Sequence, residues 1–163
     1  MKFSEITKNF IEHSGRLKTI FIATCSSAGE PNCAPKMLIN VAKSGAAYYL
    51  DYAFSKSYAN LRENPRISLS FMDDVEFLGY RLSGAAGILR PGSEFDRAKG
   101  EWESRVIRYE AERLINRLRG KHSTRESELL LPENFVIVKF IADEAALVKP
   151  GRAIRFLKKK NKP

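Results

Sequence analysis

The chain has 163 residues and a mass of 18.5 kDa, the size of one domain able to bury its own core. Apolar residues make up 44% and charged residues 29%, a balance that excludes disorder as the main state. Lys and Arg number 28 against 19 Asp and Glu, a net charge of +9. Seven of those cations lie between Lys149 and Pro163, where there is no acid, leaving 21 basic against 19 acidic residues elsewhere. The composition therefore divides into a nearly neutral domain over residues 1–148 and a basic tail over 149–163. Such a tail reads as a solvated terminus or as a contact for phosphates or an acidic partner. No run approaches the roughly 18–20 apolar residues of a membrane-spanning helix. Met1 to Phe10 lacks the apolar region of a signal peptide, which implies a cytoplasmic protein.

In chain order, Phe3, Ile6 and Phe10 recur at helical spacing, and Ser14-Gly15 ends that short amphipathic helix. Thr19 to Cys25 is apolar and β-branched, a strand. Ala28-Gly29 and Pro31 mark a turn. Cys33 to Ala42 alternates, with Met37, Ile39 and Val41 assigned to one face and Lys36, Leu38 and Asn40 to the other. Lys43-Ser44-Gly45 is a second turn, and Ala46 to Asp51 a third strand. Connections this short make the three strands an antiparallel meander.

Ser55 or Ser57 can cap a helix that Pro65 stops after about two turns. Arg66 to Met72 alternates as a half-buried strand, and Phe77 to Leu89 is a long strand carrying Gly79, Gly84 and Gly87. Glycines inside a strand indicate bulges or strong coiling. After Pro91-Gly92, the spacing of Phe95, Ala98, Trp102, Val106, Tyr109 and Leu118 predicts a long helix over 94–119, ended by Gly120. Lys121 to Glu128 is a polar loop, and Phe135 to Ala142 the last strong strand. The sum is a mainly β, α+β fold: six antiparallel strands forming a closed or partly open barrel with flanking helices.

Several chemistries are excluded by missing motifs. There is no glycine-rich nucleotide fingerprint, no nucleophile elbow, no zinc-binding H-E-x-x-H and no C-x-x-C. His13 and His122 are far apart in sequence and suit no metal site or triad. Cys25 and Cys33 flank the first turn symmetrically about Gly29. Unbulged pairing would set them opposite each other, although two reduced small fillers suit a reducing compartment better.

One constellation points to an anionic ligand. Lys36 lies on the second strand, Ser55-Lys56-Ser57 opens the short helix, and Asn60 follows one turn on. A helix start exposes unpaired N–H groups and a partial positive charge. A hydroxyl and two lysines there would cradle a phosphate without a glycine-rich loop. The alternative is a capped helix with ordinary surface lysines.

Three segments in series carry a resemblance: A-T-C-S-S-A-G-E-P-N-C-A-P-K (23–36), S-K-S-Y-A-N-L-R-E-N-P-R-I-S-L-S-F (55–71) and G-Y-R-L-S-G-A-A-G-I-L (79–89). Together they resemble the pyridoxamine 5′-phosphate oxidase-like flavin-binding proteins over about residues 18–90. The resemblance implies a split β-barrel that binds FMN at the interface of a homodimer. It places Lys36, Ser55 and Lys56 on the phosphate, and Met37 and Leu38 against the isoalloxazine ring. Leu50 and Asp51 would lie by the ribityl chain or ring edge, and Asn60 would brace the phosphate loop or the helix. The implied activity is flavin-dependent oxidoreduction of an unidentified small substrate. The alternatives are a flavin carrier or sensor without turnover, or a nucleic-acid or acidic-partner module using the tail. A haem or another flat cofactor would suit the same fold.

Two departures stand out. The oxidases proper carry a tryptophan-containing C-terminal segment with an R-x-H element, whereas this chain has one tryptophan, Trp102, and no R-x-H. Asp51 stands where many relatives have Thr or Ser. Like charge beside a phosphate is repulsive, so its side chain is expected to point away or to hydrogen-bond elsewhere.

Overall fold

The structure is a computed structural model and describes residues 19–41, 46–73, 77–120, 134–148 and 155–158. The N-terminal helix and the 121–128 loop expected from sequence lie outside the described residues. The strands are β1 (Thr19–Cys25), β2 (Pro31–Val41), β3 (Ala46–Tyr52), β4 (Arg66–Asp73), β5 (Leu78–Ile88), β6 (Phe135–Val148) and β7 (Arg155–Lys158). The helices are α1 (Lys56–Glu63), between β3 and β4, and α2 (Ser93–Leu118), between β5 and β6.

The sheet runs β3-β2-β1-β4-β5-β6-β7, and β3 also pairs with β6. That second pairing closes the first six strands into an antiparallel barrel. Closure depends on the length of β6. Its first half, Phe135 to Ile141, pairs with β3, while Val138 to Val148 pairs with β5. Beyond Ile141, β6 is free of β3 and takes up β7 through Glu144 to Leu147. The sequence pattern ended this strand at Ala142, because Asp143-Glu144 interrupts the apolar run. The basic tail thus contributes a strand.

Two irregularities curve the sheet, as extra residues in one strand do. In β6, Ser83 faces Glu144 but Gly84 faces Ala142, so Asp143 is the extra residue. The close approach there is why position 84 is glycine: a Cβ would lie 2.0 Å from the Ile141 carbonyl oxygen. Asp143 is turned outward onto the Arg66 guanidinium.

The other irregularity is in β2, where Leu38 faces Tyr49 but Asn40 faces Tyr48, leaving Ile39 extra. This corrects the alternation read from sequence. Leu38 and Val41 both join the barrel interior, and Ile39 joins the outer cluster.

The first hairpin also differs from expectation. Its loop is Ser26 to Glu30, closed by Ser26 N–H to Glu30 C=O, with Gly29 at a left-handed φ of 87°. The hairpin is therefore centred on Ala28 rather than Gly29. Cys33 faces Ala23 and Cys25 faces Pro31, so the two thiols are not cross-strand partners, and both are free.

The core has two layers. Inside the barrel lie Ile20, Ile22, Tyr49, Leu69, Leu82, Val138 and Phe140, all 2% exposed or less. Outside it, the first half of α2 packs Phe95, Ala98, Trp102 and Val106 against Ile39, Ala46, Tyr48 and Ile137. Trp102 is thus a core residue of its own chain.

Candidate functional site

The site is the corner where β3 runs into α1 over the start of β2. Its geometry begins with Ser55. In extended conformation, Ser55 caps α1, its Oγ accepting the Tyr58 N–H at 3.0 Å. The amides of Lys56 and Ser57 have no partner among the described residues, as the first turn of a helix leaves them. The helix is fixed from below by polar contacts. Asn60, 1% exposed, donates from Nδ2 to Thr24 Oγ1 at 3.1 Å, and Asn32 Nδ2 donates to Ser57 Oγ at 3.0 Å. At its far end Glu63 accepts both the N–H and the Oγ–H of Ser27, whose N–H is the larger cause holding the carboxyl below its usual range.

Lys36 and Asp51 lie two residues beyond the Leu38–Tyr49 pair on their respective strands, so they share the interior-facing side of the sheet. Lys36 Nζ donates to Asp51 Oδ1 at 2.5 Å, with the two side chains 9% and 0% exposed. The same Oδ1 accepts from Ser55 Oγ at 2.7 Å and from the Tyr52 N–H at 2.7 Å. Asp51 Oδ2 is buried with no partner. The charge of Asp51 also reaches Tyr49: burial pushes that phenol far above its ordinary range, and Asp51 adds to the shift.

Each residue singled out in the sequence can now be placed. Lys36, Asp51 and Ser55 are in direct contact. Lys56 is at the same corner but half-exposed, reaching Glu30 Oε2 at 3.1 Å. Asn60 braces the first hairpin from beneath α1. Leu38 points into the barrel, so only its backbone is outside. Met37 and Leu50 are half-buried against the α2 cluster. Tyr80 is buried and stacks on Phe71 at 5.0 Å. Beside α1 an open groove of about 530 Å³ is lined by Ala53, Phe54, Ser55, Tyr58, Ala59 and Arg62. Phe54, 78% exposed, stacks on Tyr52 at its rim.

Sequence reasoning missed Arg105. From α2 its guanidinium donates to the carbonyls of both Leu38 and Ile39, pinning the β2 bulge. It also missed the clamp at the start of α2, where Glu94 Oε1 accepts from Tyr48 Oη at 2.7 Å and from Lys139 Nζ at 2.8 Å. The Lys139 bond, then that of Tyr48, holds the Glu94 carboxyl below its usual range. No local pattern announces contacts between residues 45 to 67 positions apart. No group of three or more His, Cys, Asp or Glu suited to a metal occurs among the described residues.

A closed antiparallel barrel, a long helix on its outer face and a capped short helix over one end define the split-barrel fold. The chain belongs to the pyridoxamine 5′-phosphate oxidase family, whose model matches residues 5–129. Among curated proteins none matches the chain.

Solved structures share the fold at low identity. A protein related to general stress protein 26, from Clostridium acetobutylicum, is 18% identical, with 93% of this chain and 95% of that one covered and a TM-score of 0.62. A heme binding protein from Mycobacterium smegmatis is 15% identical at a TM-score of 0.65; the match covers 97% of this chain and 59% of that one. A pyridoxamine 5′-phosphate oxidase-related, FMN binding protein from Nostoc punctiforme is 9% identical at a TM-score of 0.56, with 94% and 86% covered.

Proposed function

We propose that the chain is an FMN-binding flavoprotein that works as a two-fold dimer and acts as an oxidoreductase through the flavin. The observation that carries this reading is the half-exposed Lys56 beside the open amides of the Ser55-capped α1, at the corner whose inner side Lys36 and Asp51 fill. Bound FMN would supply the electron transfer. The chain's own task is to bind and orient it.

The fit of the phosphate is best at the outer half of the corner. Among the described residues Lys56 makes one exposed ion pair, with Glu30, of the kind worth about 0–1 kcal/mol, so it is available to a ligand anion. The amides of Lys56 and Ser57 supply the donors expected at a helix start. Leu50 and Met37 would offer apolar surface where a second subunit adds the wall that a shallow groove lacks. The stacked Tyr52–Phe54 pair and the apolar residues of the outer half of α2 give the chain surface on which a partner copy could close. The same corner serves a flavin carrier or sensor equally well, and turnover with an added electron donor separates those from an oxidoreductase.

The test is the absorption spectrum of the purified full chain with added FMN. Stoichiometric binding is expected, weakened by no more than about threefold in Lys56→Ala, because a half-exposed lysine offers a solvent-screened contact worth about 0–1 kcal/mol. A chain that ignores micromolar FMN overturns the reading. Added haem, the ligand named for one structural neighbour, would then be the next probe. Light scattering tests the dimer.

A further inference from the structure

We propose that Asp51 is a built-in anion that occupies the inner half of the phosphate corner, so that the site recognises a flavin by its ring and ribityl chain and scarcely by its phosphate. This rests on the flavin reading for its ligand but not for its geometry.

Three groups converge on one oxygen, Asp51 Oδ1: the Lys36 ammonium, the Ser55 hydroxyl and the Tyr52 N–H. Ammonium, hydroxyl and backbone N–H are the donor types that hold a phosphate oxygen. Here they are already satisfied by a carboxylate of the same chain. The pair is sealed, with Lys36 9% and Asp51 0% exposed, so a ligand cannot take Lys36 without leaving a buried carboxylate uncompensated, which is strongly unfavourable. Nor can a phosphate dianion share the ammonium, because two anions around one buried cation repel where screening is weak.

The second carboxylate oxygen points the same way. Asp51 Oδ2 is buried without a partner, and it can only accept. The dianionic phosphate monoester of a flavin nucleotide has no O–H to donate and cannot satisfy it. The donors that remain for a ligand phosphate are the half-exposed Lys56 and the α1 amides, a weaker and more hydrated set. Asp51 is thus a specificity-determining residue: it acts on the ligand through Lys36 and Ser55, and removing its charge hands both of them back to an external anion.

The experiment compares the full chain with Asp51→Asn, and with Asp51→Thr in case the first fails to fold. Each is titrated with FMN, with riboflavin and with millimolar inorganic phosphate, following flavin fluorescence and the amide NMR signals of residues 55–58. In the natural chain the two flavins are expected to bind within about threefold of each other, and phosphate to leave the amides unmoved. In the variant FMN should gain at least about tenfold over riboflavin, the scale of one charge-assisted contact, and phosphate alone should move the amides. A natural chain that prefers FMN by tenfold or more, and loses that preference on Lys36→Ala, overturns the inference while leaving the flavin reading intact. If neither flavin binds any variant, the flavin reading falls, and the phosphate titration decides the inference by itself. Amides that respond in the variant alone uphold it; the same response in both chains, or in neither, overturns it.

Discussion

The two helices are attached to the barrel by different physics. The short helix α1 sinks one apolar side chain, Leu61, into the barrel core and is otherwise held by polar contacts: Asn60 on Thr24, Ser57 under Asn32, Ser55 on Asp51 and Glu63 on Ser27. Each bond fixes a direction as well as a distance, so the start of α1 is placed to hydrogen-bond accuracy. The long helix α2 is held along its first half by an apolar seam centred on Trp102, with Arg105 and Glu94 setting its register. Along its second half Ile107, Leu114 and Leu118 are 70%, 59% and 80% exposed. Apolar burial is non-directional and roughly proportional to area. It suits a structural buttress, whereas a binding corner needs its groups fixed in orientation.

That contrast can be broken at its strongest point first. Trp102→Ala should destabilise by about 4 kcal/mol, the range for removing a buried aromatic, read from urea denaturation. A cost near zero would mean the α2 seam is dispensable. Next, Lys36→Met strands the buried Asp51 carboxylate and should cost about 3 kcal/mol. Adding Asp51→Leu to it should recover most of that loss, because an apolar pair can replace a buried ion pair.

Asn60→Ala should cost about 2 kcal/mol through the lost bond, which leaves the buried Thr24 hydroxyl with only the long 3.5 Å contact from Asn32. It should also loosen the α1 amides in hydrogen exchange while leaving those of α2 unchanged, which sharpens the distinction between the two attachments.

A smaller effect is expected from the Glu94 clamp. Its carboxyl is held low in the folded state, so its contribution is complete above the ordinary carboxylate range and is lost as pH falls through the lowered value. The urea midpoint difference between the natural chain and Glu94→Gln should therefore shrink on acidification. Smallest of all, Leu114→Gln should change stability by no more than about 0.5 kcal/mol in the monomer. A larger, concentration-dependent loss would mean that a second copy covers this stripe.

Much of this was legible in one dimension. Period-two and period-three-to-four patterning found the six barrel strands and both described helices, because burial on one face imposes those periods. Ser55 and Pro65 bounded α1 through capping and steric rules that act within a few residues. Gly84 signalled a bulge, since a strand glycine often marks one, and the extra residue Asp143 lies opposite it.

What failed had a common cause. Val41 was put on the wrong face because the extra residue at Ile39 leaves no mark in composition. The hairpin is centred one residue earlier than its turn residues suggest, so Cys25 and Cys33 do not face each other, and both are free as expected of reduced fillers. The end of β6 was misplaced because a bulge turned Asp143 outward and let the strand continue.

The candidate site divides the same way. Its residue types and their order along the chain were determined by the sequence: a lysine on the second strand, a serine cap, a second lysine, an asparagine one turn on. Which of them are free was decided only in three dimensions. Asp51 was expected to avoid the cradle, yet cross-strand register sets it beside Lys36, and the turn into α1 brings Ser55 to the same oxygen. Local rules could name the cap and the helix start because both act over a turn of chain. The sealing of Lys36 depends on burial and on strand pairing across 15 residues, and those exist only once the barrel has closed.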